Sequence, residues 1–140
     1  FEEYKSDLGR FSVPIIIYDP SGEIKPGMRD AVAQQIDIVP TVLGYLGYDE
    51  PYLGFGIDVL NTPAEETWAV NYLNGIYQYV KFGYVLQLEG MKTIGVYKLT
   101  DKLMKHNWVG KVKEQEQMER ELKAIVQSYM DCMINDKLLP

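Results

Sequence analysis

The chain has 140 residues, with 20 acidic side chains against 14 basic ones, a net charge of −6 and 46% hydrophobic residues. That length suits one core, or one core with an appendage. The acidic balance argues against a nucleic-acid surface, which needs a basic stripe, and the apolar content argues against disorder. A single cysteine, Cys132, precludes an intrachain disulfide. No apolar run approaches the about 18 residues of a membrane-spanning helix. The start at Phe1, without an initiator methionine or a basic leader region, is what a piece of a longer protein would show.

Residues 1–11 are polar and mixed in charge, and read as a surface connection. Arg10 is the side chain there with anion-binding chemistry, but a solvated loop arginine is the plainer reading. Ser12–Asp19, SVPIIIYD, is apolar on both sides: Val13, Ile15 and Ile17 point one way, Pro14, Ile16 and Tyr18 the other. A strand in a covered, mostly parallel sheet reads this way and needs neighbours on both edges. Residues 21–29, SGEIKPGMR, form a loop without the glycine spacing of a nucleotide-binding turn. Over Ala33–Gly47 the expectation is a short helix. Asp37 is placed to cap it, Pro40 falls in the first turn, and Val39, Val42, Leu43 and Leu46 make a stripe for burial. Gly47 allows a left-handed end. With Asp37 at its positive end, the helix start reads as capped rather than as an anion site.

Tyr48–Pro63 is loop-like, with prolines, glycines and aromatics that would cover a sheet edge or border a substrate cleft. Trp68–Leu73 reads as a strand and Asn74-Gly75 as a tight turn. Ile76–Phe82, Tyr84–Leu88 and Thr93–Leu99 alternate as further strands of an antiparallel meander with one face covered. The tyrosines of this meander read as cross-strand packing partners rather than as a sugar-stacking surface. His106, the sole histidine, has no second histidine, cysteine or carboxylate cluster that would make a metal site. From Lys111 to about Ile134, Met118, Leu122, Ile125, Val126, Tyr129 and Met133 recur at helical spacing opposite an acidic face, giving an amphipathic helix to cover the meander. Its acidic face speaks against binding to anionic lipid.

Three stretches carry a resemblance. The strand VPIIIYDPSG, the helix Gln35–Gly47 in the pattern Q-x-D-x-x-P-T-x-L-x-x-L-G, and the segment IGVYKLTDKLMKHNWVG before a terminal helix are together similar to the sulfatase branch of the alkaline phosphatase superfamily. The likeness is strongest to the lipoteichoic acid synthase, or phosphoglycerol transferase, type. It implies the C-terminal piece of an alkaline-phosphatase-like α/β fold, α+β within this chain. Residues 1–73 would close the catalytic domain, and residues 74–140 would add the small antiparallel sheet and its helix. The family's nucleophile, metal-binding carboxylates and Asp-His pair lie upstream of the strand, so no catalytic, metal or substrate-binding residue is expected here.

The parent would hydrolyse sulfate esters or transfer phosphoglycerol groups with a divalent metal (Zn, Ca, Mn or Mg), in an extracytoplasmic domain of a membrane-anchored bacterial protein. The expected partners are the N-terminal part of that catalytic domain and, for the isolated chain, a second copy. Neither nucleic acid nor direct membrane contact is expected. The alternative is a self-contained α+β binding module without catalysis.

Overall fold

The computed structural model describes residues 2–137. Phe1 and residues 138–140, the outer ends of the two expected segments, lie outside that range. The described chain is α+β. Strands β1 (Ala69–Leu73), β2 (Ile76–Lys81), β3 (Tyr84–Glu89) and β4 (Lys92–Lys98) form an antiparallel meander in chain order. The sheet thus crosses the 73/74 division expected from sequence, because β1 pairs with β2 from Ala69↔Val80 to Leu73↔Ile76.

Two-residue turns set this register. Asn74-Gly75 and Phe82-Gly83 all have positive φ, at 52° and 86° and at 53° and 76°. Two successive left-handed residues give the turn whose twist matches that of the flanking strands. Phe82, expected within a strand, is therefore a turn residue, and Lys81 Nζ stands 4.9 Å from the centre of its ring. Tyr72 and Tyr77 face each other across the first hairpin with ring centres 4.6 Å apart.

Helix α2 (Gln115–Ile134) begins later than the sequence pattern suggested and lies on one face of the sheet. There Met118 and Leu122 pack with Tyr79, Leu86, Leu88 and Val96 in a cluster of buried side chains. One polar lock fixes the helix to the sheet. The Tyr79 hydroxyl donates to Glu121 Oε2 at 2.7 Å, and Lys81 Nζ donates to the same oxygen at 2.9 Å. Burial, reinforced by the Glu121 carboxylate, pushes the Tyr79 hydroxyl far above its ordinary pKa. Burial also disfavours the Glu121 charge, but donors from Gln117, Tyr79 and Lys81 outweigh it and leave the carboxyl below its ordinary pKa.

The expectation of a single covered face needs correction. On the opposite face Ala69, Val80 and Val85 pack with Leu8, with Val32, Leu99 and Met104 around them. Residues near the N-terminus therefore fold back to complete a second, smaller core.

Both outer edges of the sheet are blunted by side-chain amides. Along β1, Gln34 Nε2 donates to the Trp68 carbonyl at 3.3 Å, and the Val70 N–H donates to Gln34 Oε1 at 3.0 Å. Along β4, Asn107 Nδ2 donates to the Ile94 carbonyl at 3.0 Å and the Val96 N–H donates to Asn107 Oδ1 at 3.1 Å. The Trp108 N–H then donates to the Val96 carbonyl at 2.7 Å. A carboxamide carries the donor and acceptor of a peptide unit, so each of these residues stands in for a short piece of neighbouring strand.

The N-terminal half is built differently. The buried sheet strand expected at Ser12–Asp19 is not formed. The segment runs without helix, turn or bend, joins no sheet, and leaves Ile16 and Tyr18 each 85% exposed. The sheet edges are occupied at their centres, β1 at Trp68 and Val70 by Gln34 and β4 at Ile94 and Val96 by Asn107 and Trp108, and the segment pairs with neither.

Helix α1 (Ile38–Tyr45) follows a 3-10 turn at Gln35–Asp37. Its end is as expected. Gly47 has φ 67°, the Gly47 N–H donates to the Gly44 carbonyl and the Tyr48 N–H to the Leu43 carbonyl, closing the helix by a left-handed glycine. The face it buries is not as expected. Pro40 and Thr41 are buried, while Val39, Val42 and Leu46 of the apolar stripe stay exposed.

Candidate functional site

Asp37 and Thr41 stand one helical turn apart, on the same face of the 3-10 turn and α1. Both are buried, with side chains aimed at residues 56–60. Asp37 Oδ1 accepts the Ile57 N–H at 2.9 Å, and Oδ2 accepts the Gln34 N–H at 2.9 Å. Thr41 Oγ1 accepts the Val59 N–H at 3.0 Å and faces the Ile57 carbonyl at 3.5 Å.

Two side chains therefore satisfy alternate amides of a passing loop, much as a strand would. Small residues let the loop come this close. A Cβ at Gly56 would run into the Ile36 carbonyl, and one at Gly44 into the Asp58 carboxylate. Arg29 ties down the far end by donating to the Leu60 carbonyl at 3.0 Å and to the Thr62 carbonyl. Asp37 was expected to cap α1 with its side chain. Its carboxylate instead turns back to Gln34 and across to Ile57, and makes no capping bond to the first turn of α1.

Burial raises the Asp37 pKa above the usual carboxylate value, against the lowering pull of the Ile57 and Gln34 amides. Both of its oxygens are engaged by N–H donors, so it is held as a bridging acceptor rather than as a free base. The fifth and eighth residues of the Q-x-D-x-x-P-T motif region, Val39 and Val42, are left facing outward by the same geometry.

Above this clamp lies a cleft of about 610 Å³ between α1 and residues 15–24. Ile15, Ile17, Ile24, Ile38, Val42 and Tyr45 make its walls largely apolar, and Asp37 and Thr41 form part of its floor. One end is closed by the turn at Asp19. Asp19 Oδ1 accepts from the Ser21 N–H at 2.8 Å and from the Ser21 hydroxyl at 2.5 Å, and Oδ2 accepts the Ile24 N–H at 2.8 Å. These donors, the Ile24 amide foremost, hold the Asp19 carboxyl at a pKa of about 2. The Ser21 hydroxyl is 3.3 Å from the Tyr45 hydroxyl, which links the turn to α1.

Of the residues weighed individually from sequence, Asp37 lies in the cleft floor, whereas Arg10 and His106 do not line it. Arg10 is exposed in the short 3-10 turn Gly9–Phe11. His106 sits on the surface after β4, where Asp101 Oδ2 accepts its backbone N–H at 2.8 Å and lies 3.2 Å from its Nδ1. That is the geometry of a side chain closing its own turn, and these donors, the His106 amide first, lower the Asp101 pKa. Among the described residues no group of three or more His, Cys, Asp and Glu side chains is placed to hold a metal ion. The divalent ion implied by the resemblance finds no ligand set around the cleft either, since the Asp37 and Asp19 oxygens all accept protein donors. No described helix is long and apolar enough to cross a membrane.

Sequence reasoning missed Thr41, Gln34, Asn107 and Leu8. For Thr41 a signal existed: Asp37, Thr41 and Gly44 form a polar and small face opposite the apolar stripe, which marks a second contact surface on a short helix. Gln34 and Asn107 carry no such local pattern, because an edge cap is defined by a strand distant in sequence.

An α+β chain with a clamped loop beneath an open apolar cleft is what this geometry defines. No family model, no curated protein and no solved structure matches the chain.

Proposed function

We propose that this chain is the non-catalytic C-terminal portion of a metal-dependent, sulfatase-like enzyme. The parent would hydrolyse sulfate esters or transfer phosphoglycerol groups at the cell envelope, from an extracytoplasmic domain anchored in a bacterial membrane. The observation that carries the reading is the Ile15–Tyr18 segment: apolar on both sides, without a backbone partner among the described residues, and bordering an apolar cleft on α1. A strand of a covered parallel sheet has these properties once its neighbours are removed.

In this reading the Asp37–Thr41 clamp fixes α1 and the 56–60 loop as a rigid wall against which a catalytic sheet is built. The meander and α2 buttress that wall. The nucleophile and the divalent metal belong to the preceding part of the parent, where the metal would stabilise negative charge developing on sulfur or phosphorus.

The test is the reading frame upstream of Phe1 together with turnover by the chain itself. The expected result is a Thr, Cys or Ser nucleophile and an Asp-His pair upstream, with no metal-dependent hydrolysis of an aryl sulfate or a phosphodiester by the 140 residues alone. Metal-dependent turnover by this chain that His106→Ala abolishes would overturn the reading.

A second reading is a self-contained α+β binding module. The observation favouring it is that residues 69–134 bury a core of their own between sheet and helix, with both sheet edges capped. A stop codon immediately upstream of Phe1 would select it.

A further inference from the structure

We infer that the 140-residue chain forms a symmetric dimer through antiparallel pairing of residues 15–17 with the same residues of a second copy. Ile15, Ile16, Ile17 and Tyr18 form no backbone hydrogen bond among the described residues, and unpaired N–H and C=O groups beside apolar side chains recruit another strand. The partner strand is identified by elimination within the chain. Gln34 takes the β1 edge at Trp68 and Val70, and Asn107 and Trp108 take the β4 edge at Ile94 and Val96, so the longest apolar run of unpaired backbone that a second copy presents is this same segment.

Pro14 then selects the register. In a straight chain, alternate residues direct their N–H and C=O groups to opposite edges. The edge formed by residues 14, 16 and 18 lacks a donor at Pro14, whereas Ile15 and Ile17 on the other edge keep theirs. A two-fold axis at Ile16 pairs Ile15 of each copy with Ile17 of the other through both of their peptide groups and leaves Pro14 in a non-hydrogen-bonded position. The segment's charged neighbour, Asp19, stays ionised, with its carboxylate turned onto the Ser21 and Ile24 amides of its own turn. The inference stands on this geometry rather than on the proposed enzyme parent, and either can fail without the other.

The test compares the full chain with three variants by sedimentation equilibrium at tens of micromolar, with near-UV circular dichroism to confirm the fold. Wild type is expected to be a dimer. Ile17→Pro removes two symmetry-related hydrogen bonds and weakens association about 25-fold, at about fivefold for each bond. Ile16→Pro removes only outward N–H groups and leaves the dimer intact. Ile16→Lys sets like charges face to face on the axis and gives monomer, without placing proline in the segment. A monomeric wild type, equal behaviour of the two proline variants, or a dimer that survives Ile16→Lys would each overturn the pairing.

Discussion

The two halves of the chain solve the same problem in opposite ways. Between Ala69 and Ile134 the backbone is closed: four strands pair with one another, two carboxamides finish the outer edges, and large apolar side chains such as Leu86 and Met118 are wholly buried. Between Ser12 and Leu60 the pattern inverts. Buried positions there include Asp37 and Thr41, while isoleucines, valines and tyrosines line an open cleft. Hydrophobic sequence alone therefore did not decide what became buried. The availability of backbone partners decided it, because an apolar strand cannot enter a core while its peptide groups are unpaired.

The sharpest way to break this contrast is to delete apolar volume on each side. Leu86→Ala is expected to cost about 2–5 kcal/mol, since it opens a cavity at a fully packed site. Ile16→Ser, at an exposed site, should cost the monomer roughly a tenth of that or less, as read from urea unfolding. Equal losses would show that the N-terminal segment is packed in solution.

Next in size is the clamp. Thr41→Val keeps the shape and removes the acceptor for the buried Val59 N–H, with an expected cost of about 1–3 kcal/mol. Amide exchange at Val59 should accelerate while exchange in β3 stays as it was. Smaller still are the edge caps: Gln34→Ala and Asn107→Ala should each cost about 0.5–1.5 kcal/mol and raise aggregation rates by exposing an edge.

The smallest effect is in pH dependence, and its sign differs between the halves. Glu121 has a lowered pKa in the fold, so the native state binds fewer protons than the unfolded chain. The stability it supplies is present above the ordinary glutamate range and is lost as pH falls through its folded value. Asp37 has a raised pKa, so its contribution is fullest below the ordinary aspartate value and declines as pH rises through its folded value. Acid titration of stability should flatten in Glu121→Gln and steepen in Asp37→Ala. The reverse pattern would refute the assignments.

Much of the closed half was legible in the sequence, because alternation, Asn74-Gly75 and the Met118/Leu122 spacing are local signals that agree with the tertiary outcome. Strand ends moved by a residue or so where a turn, such as Phe82-Gly83, claimed an apolar position. The open half was legible in pattern but not in pairing. SVPIIIYD is composed as a buried strand, yet composition does not say whether a neighbour exists. The α1 stripe was identified, but the helix docks by its polar face, since Asp37 and Thr41 satisfy loop amides while Val39 and Val42 stay exposed. Contacts joining distant segments, Leu8 beneath the sheet and Gln34 on β1, left no periodic trace.

Amide hydrogen exchange on the chain, diluted to where it is monomeric, tests the division most directly. The account predicts that Gln78–Val80 and Val85–Leu88 exchange only through global opening, while Ile15–Tyr18 exchange close to the rate of an unstructured peptide. Protection of Ile15–Tyr18 matching that of β3 in the monomer would contradict it.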